Sequence, residues 1–138
     1  MPTDIEQLGR AIKIAQSRHH RALDGRLRTV GTSLAQWDAL RAVAMNPRAS
    51  GHDLAVATFQ SDQAFGTLAG RLEALGLIER RAGRGRRIEH HLTAEGERVL
   101  ADGRRAAREV LTSSFAALTE ADRAQLLHLL GLVGAQPD

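Results

Sequence analysis

The sequence predicts a mainly α-helical fold interrupted by one small β-hairpin, and three observations predict it. Apolar residues recur at three- and four-residue spacing through most of the chain. Two short helical stretches in the middle of the chain are separated by only a tight turn. Directly after them, LIERRA and RIEHHL alternate as strands do and flank AGRGR, whose Gly83 and Gly85 suit a hairpin tip. Helix, turn, helix and basic hairpin in this order make a winged helix-turn-helix, with N- and C-terminal helices flanking it for dimerisation.

The first helix is expected from Thr3 to about Asp24, with Ile5, Leu8, Ile12, Ala15, His19 and Ala22 along one seam and Gly25 ending it. The second begins near Ser33, carries Leu34, Trp37, Leu40 and Ala44 on one face, and stops at Asn46-Pro47. Ser50 and Asp53 form the serine-x-x-acid pattern of a capped start for a third, short helix. After the turn TFQSDQ, Ser61 caps a fourth helix whose buried stripe is Phe65, Leu68, Leu72 and Leu75, with Gly76 at its C-terminal end. Beyond the hairpin, Thr93 opens a long helix with Val99, Gly103, Ala106, Val110 and Phe115 in register. Thr119 with Asp122 opens a last one bearing Leu126, Leu129, Leu130 and Val133.

A chain of 138 residues is one domain, 1–138, in which 33–93 form the DNA-binding lobe and 1–32 with 94–138 a helical dimerisation region. The flanking helices carry more apolar surface than so small a lobe can cover, so a second copy of the chain is expected against them. The absence of cysteine excludes disulfides, thiolate zinc sites, cysteine nucleophiles and thiol redox sensing. The most apolar run, Leu126–Ala135, is half of the roughly 20 residues that a bilayer helix needs, so a soluble cytoplasmic protein without membrane contact is expected.

Charge is informative locally. The net charge is only +3, yet Arg80–Arg87 holds five arginines in eight residues and no acid. Arg84, Arg86 and Arg87 at the hairpin tip suit a minor groove, where the negative potential favours guanidinium, while Arg80 and Arg81 before the tip suit phosphates. On the fourth helix, the face opposite the apolar stripe carries Asp62, Gln63, Gly66, Thr67, Gly70 and Arg71 behind Ser61. Gln63, Thr67 and Arg71 have hydrogen-bonding groups for base edges or phosphates. Gly66 and Gly70 each cost about 1 kcal/mol of helix propensity. They read either as a bare stripe that lets the backbone approach DNA or as a close protein contact. Asp62 favours the positive helix end but repels phosphate.

No cofactor and no metal are expected. His19-His20 and His90-His91 are adjacent pairs that point apart on a helix or a strand and cannot chelate as units. His90 reads as a packed residue. His19, on the first seam, reads as a packed histidine or as a lining residue of a ligand cleft near Trp37, and Trp37 itself reads as a core residue or as a second ligand contact. No nucleophile, carboxylate-pair or phosphate-loop motif marks an enzyme.

From Leu34 to Val133 the chain resembles the multiple-antibiotic-resistance regulator (MarR) family of winged helix-turn-helix repressors. The residues that carry the resemblance are Leu34-Ala35-Gln36-Trp37 with Leu40, Asp53-Leu54-Ala55, Arg71 to Arg81 (RLEALGLIERR) and Leu92 to Gly96 (LTAEG). The resemblance implies a triangular homodimer joined by the terminal helices, with one recognition helix per lobe in a major groove of double-stranded DNA. It also implies a pseudo-palindromic operator and release by a small aromatic or anionic effector. Two departures stand out. Arg86 keeps the family's wing arginine, but Arg84 stands where its usual aspartate partner would be. Thr58-Phe59-Gln60 replaces the usual leucine-glycine-valine, so a turn of different geometry is expected. The alternative reading is a dimeric winged-helix interaction protein without DNA binding.

Overall fold

The computed structural model describes residues 1–135, so positions 136–138 of the region expected over 94–138 lie outside the described residues. The elements are α1 (Ile5–Arg28), α2 (Leu34–Met45), α3 (Gly51–Ala57), α4 (Asp62–Ala74), β1 (Ile78–Ala82), β2 (Ile88–Leu92), α5 (Ala94–Ser114) and α6 (Glu120–Gly134). The mainly α winged helix-turn-helix is therefore the fold.

Capping chemistry sets most boundaries. Ser33, Ser50, Ser61, Thr93 and Thr119 each place a side-chain oxygen where it accepts from an orphan amide of the first turn, and Ser50–Asp53 and Thr119–Asp122 close full capping boxes. Gly25 does not end α1, contrary to expectation. The helix runs on to Arg28 because its last turn is held by tertiary contacts: Leu27 is fully buried, and Asp24 accepts from the Leu34 amide at 2.9 Å and from Arg28 at 2.8 Å. These outweigh the roughly 1 kcal/mol that one helical glycine costs. The chain turns instead at Gly31, φ 89°.

A single core joins the lobe to its flanks. Leu40, Leu54, Phe65, Leu72 and Ile78 of the lobe pack in one cluster with Leu27 of α1 and Leu100 of α5. Trp37 lies in that cluster, its indole N–H donating to the Leu100 carbonyl at 3.2 Å, and α5 passes the ring at Gly103, where there is no room for a side chain. On α4 the stripe is Phe65, Ala69 and Leu72, with Leu68 half-buried. Leu75 is 54% exposed, since the helix has ended by then and Gly76, φ 75°, turns the chain toward β1.

The two strands are antiparallel, Ile78 opposite Leu92 and Ala82 opposite Ile88. Beyond Ala82, the Gly83 amide donates to the Arg87 carbonyl at 2.8 Å and Arg87 to the Arg84 carbonyl at 3.2 Å, with Gly85 at φ 63° closing the tip. The α3–α4 turn keeps the left-handed geometry that glycine would supply, but Phe59 supplies it at φ 58°, with a side chain 97% exposed. Phe59 thus takes, with its side chain in solvent, a backbone conformation that glycine adopts more readily. α6 buries no residue and leaves Leu127, Leu129, Leu130, Leu132 and Val133 open. No helix of the described residues is long and apolar enough to cross a membrane.

Candidate nucleic-acid interface

Helix α4 reaches the surface through its own phase. With Phe65, Ala69 and Leu72 turned into the core, Gln63, Gly66, Thr67 and Arg71 stand exposed on the opposite face. A Cβ added at Gly66 would meet nothing within 4 Å, and one at Gly70 would meet only the Arg80 guanidinium, at an ordinary 3.8 Å. No neighbouring element of the protomer therefore requires glycine at either place, and the bare-stripe reading of these residues gains over the packing one. The Ser61 hydroxyl accepts from the Ala64 amide at 3.1 Å, and the Thr67 hydroxyl donates to the Gln63 carbonyl at 3.1 Å. Both keep an oxygen lone pair outward.

The arginines divide into held and free. Arg80, expected on phosphate, is clasped by Glu73 of α4. Its guanidinium donates to Oε1 at 3.0 and 3.3 Å and its amide to Oε2 at 3.1 Å, which holds the Glu73 carboxyl below its ordinary range. Arg81 pairs with Glu79 at 2.6 Å. Arg87 leaves the wing tip for α3, donating to Asp53 at 2.9 Å and to the Arg48 carbonyl at 3.4 Å. The Asp53 carboxyl is depressed first by its hydrogen bonds from Ser50 and then by Arg87, so this anchor holds above the carboxylate range and is lost as pH falls through it. The wing that lacks the resembled family's acid is thus tied down through Arg87, just before β2, and the capping box of α3. Among the described residues, Arg84, Arg86 and Arg71 have no carboxylate partner.

Between α4, the start of α3 and the wing lies a cleft of about 340 Å³, lined by Gly66, Asp62, Arg80, Arg86 and Arg87 above Phe65 and His90. His90 is its floor. It is buried, its Nδ1 lies 3.0 Å from the Ala49 carbonyl and its ring meets Phe65 edge-on at 5.9 Å; burial pushes its pKa down. One contact had no signal in the sequence. His52 of α3 reaches across to Asp62 at the first turn of α4, Nδ1 to Oδ1 2.9 Å.

A second concavity lies between the flanking helices. It measures about 610 Å³ and is lined by apolar residues of α1, by Leu34, Phe115, Leu126 and Leu130, and by three polar side chains, Gln16, His19 and His20. His19 is half-buried with its ring edge-on to Phe115 at 5.1 Å. Trp37 is no part of this wall. It packs in the core, as its place on the inner face of α2 leads one to expect, and its ring fills the space between α2 and α5, so it is no ligand contact in this cavity.

Residues 30–88 match the model of the MarR family. No curated protein sequence matches the chain. Among solved structures, a probable transcriptional regulator from Pseudomonas aeruginosa is 26% identical, with 92% of this chain and 96% of that one covered and a TM-score of 0.81. BpsR of Bordetella bronchiseptica, solved to explain regulation of its DNA binding by 6-hydroxynicotinic acid, is 22% identical, with 99% and 100% covered and a TM-score of 0.86. A mutant MarR from Escherichia coli, complexed with operator DNA, is 20% identical, with 95% and 99% covered and a TM-score of 0.85.

Proposed function

We propose that this chain, a winged-helix protein of the MarR family, is a sequence-specific DNA-binding transcriptional regulator, a cytoplasmic repressor rather than an enzyme, that works as a homodimer and is released by a small ligand. The observation that carries the reading is the outward face of α4, bare at Gly66 and bearing Gln63, Thr67 and Arg71, set beside a wing whose Arg84 and Arg86 are free of carboxylates. The division of labour follows from chemistry. Ser61 and Arg71 contact phosphate, Gln63 and Thr67 read base edges in the major groove, and Arg84 and Arg86 enter the flanking minor groove. Gly66 and Gly70 allow close backbone approach. The region 33–93 delivers these groups, and 1–32 with 94–138 pairs two copies so that both lobes reach successive major grooves about 34 Å apart on a pseudo-palindrome.

Supporting the homodimer is the row of leucines on α6 that the protomer leaves open. The effector seat is the apolar cavity between α1, α5 and α6. Its three polar side chains, Gln16, His19 and His20, suit a flat aromatic acid: the walls take the ring and the imidazoles the carboxylate. That BpsR is regulated by an aromatic acid is consistent with this chemistry.

Two measurements test the reading. On an operator selected from genomic fragments, Gln63→Ala should cost about 1 to 3 kcal/mol per lost base contact and spare random DNA. In a salt series, Arg86→Ala should lower the slope of log affinity against log salt by about 1.8 for the dimer, near 0.9 per phosphate-type contact. Arg80→Ala, its guanidinium being occupied by Glu73, should leave that slope nearly unchanged. Absence of any retention at low salt would instead favour the winged-helix interaction protein. For the effector, an aromatic carboxylate such as hydroxynicotinate should weaken operator binding by the wild type, and Phe115→Ala with His19→Ala should blunt that response. An undiminished response in the double variant would move the ligand out of this cavity.

A further inference from the structure

His52 was no part of the interface expected from sequence, yet it ends at Asp62, the acid in the first turn of the recognition helix. Its Nδ1 stands 2.9 Å from Asp62 Oδ1, both side chains are 70% exposed, and the contact ties α3 to the first turn of α4. Asp62 also lines the cleft that holds Arg86 and Arg87. An uncompensated carboxylate there faces the same phosphates that the wing arginines attract, and at contact range such a charge opposes binding. Its compensation lies in an imidazole, which is charged only when protonated.

We propose that His52 and Asp62 form a proton-linked pair on the DNA-facing surface, in which protonated His52 neutralises and positions the Asp62 carboxylate, so that DNA association takes up a proton at His52. The inference rests on the DNA-binding reading above and adds to it a positioning residue and a pH response. With His52 neutral, the pair carries one negative charge toward the phosphates; with His52 protonated, it carries none. DNA therefore favours the protonated form, and affinity falls as pH rises through the His52 titration. The surroundings agree in direction. The hydrogen bond that His52 donates to Asp62 comes first and the Asp62 charge second in holding the His52 pKa above its ordinary value, with Asp53 of the same helix adding to them.

The other charged groups around the pair are accounted for. Asp53 is engaged by Arg87 of the wing at 2.9 Å, and Glu73 by Arg80 at 3.0 Å, and both carboxyls are held below their ordinary range. His90, under the same cleft, is buried and pushed toward the neutral form. His91 pairs with Glu89 on β2 at 3.2 Å and serves as the control histidine.

The experiment measures affinity of the full chain for a selected operator and for random duplex at constant ionic strength, at about pH 6 and about pH 8, across the ordinary titration range of histidine. The wild type should lose about tenfold on the operator over that interval, which corresponds to an average uptake of about a quarter of a proton per protomer. His52→Gln should bind at both pH values as the wild type does at the higher one, and His91→Gln should keep the wild-type response. Asp62→Asn should bind random duplex more tightly than the wild type at about pH 8, because it removes the carboxylate that opposes phosphate. A wild-type pH response retained in His52→Gln, or a wild type whose affinity does not change with pH, overturns the proposal while leaving the DNA-binding reading intact. A wild type that binds no duplex at either pH overturns both. Both side chains are exposed and outside the core, and an unchanged circular dichroism spectrum at each pH identifies a loss of binding as a loss at the surface.

Discussion

Gly96→Ala should destabilise the protein by about 3 kcal/mol, at the upper end of what overpacking costs, although alanine is the better helix former by about 1 kcal/mol. Gly96 is the third residue of α5, and a methyl group there would overlap the Leu77 carbonyl oxygen and lie 3.0 Å from its carbon. Those are backbone atoms, which cannot swing aside as a side chain can. Nor can the strands of chain separate freely. The Leu77 carbonyl accepts from the Thr93 amide at 3.1 Å, and the Thr93 hydroxyl donates to the Gly76 carbonyl at 2.6 Å while capping α5. Relief of the overlap therefore breaks the joint between the end of the recognition lobe and the start of the long helix. Operator binding should suffer beyond the loss of folded protein, because that joint sets the angle of α4 relative to α5. Gly66→Ala is the matched control: nothing within 4 Å opposes its methyl, so it should gain stability by up to about 1 kcal/mol and lose DNA affinity. Urea midpoints of the two variants test both signs, and a Gly96→Ala protein as stable as the wild type would contradict the packing described at Leu77.

What was legible in the sequence was what is local. Ser33, Ser50, Ser61, Thr93 and Thr119 announce their helices because a cap is made within four residues of the chain, and each caps as expected. The Phe65–Leu72 stripe and the glycine-rich hairpin are equally local patterns. The misreadings occur where distant segments decide. Gly25 looks like a stop because the propensity of one residue can be read, whereas Leu27 in the core and the Asp24–Leu34 contact cannot. The arginine cluster looks uniformly available because it holds no acid, but Glu73 lies seven residues before Arg80 and Asp53 lies 34 before Arg87. Pairing across elements is what separates two held cations from Arg84 and Arg86, and no spacing rule encodes it. Trp37 has two readings for the same reason: on a helix wheel it faces inward, but only the crossing of α5 at Gly103 tells core from cavity wall, and it is core.

Deleting α6, from Thr119 onward, should convert the protein to monomer or aggregate and lower operator affinity at least about a hundredfold, the usual worth of tethering two binding units. The argument starts from what α6 does not do. None of its residues is buried in the protomer, so its removal takes nothing from the core cluster of Leu27, Trp37, Phe65, Leu72 and Leu100. Helical content in the remaining elements should persist in proportion. What is removed is the wall of the apolar cavity formed by Leu126 and Leu130 and the open row Leu127, Leu129, Leu132 and Val133, about which the proposed second copy packs. A subtler variant separates assembly from truncation. Leu132→Glu leaves the Thr119–Asp122 capping box and the helix in place, yet sets a charge in the apolar row about which the proposed second copy packs, where an unpaired carboxylate is costly to bury. It should shift the dimer toward monomer and weaken operator binding much more than binding to a single half-site, since one lobe keeps Gln63, Thr67 and the wing. Light scattering with half-site and full-site titrations reads both. A truncated chain that remains a soluble, well-folded dimer, or a Leu132→Glu protein with wild-type full-site affinity, would place the subunit contact elsewhere on the molecule.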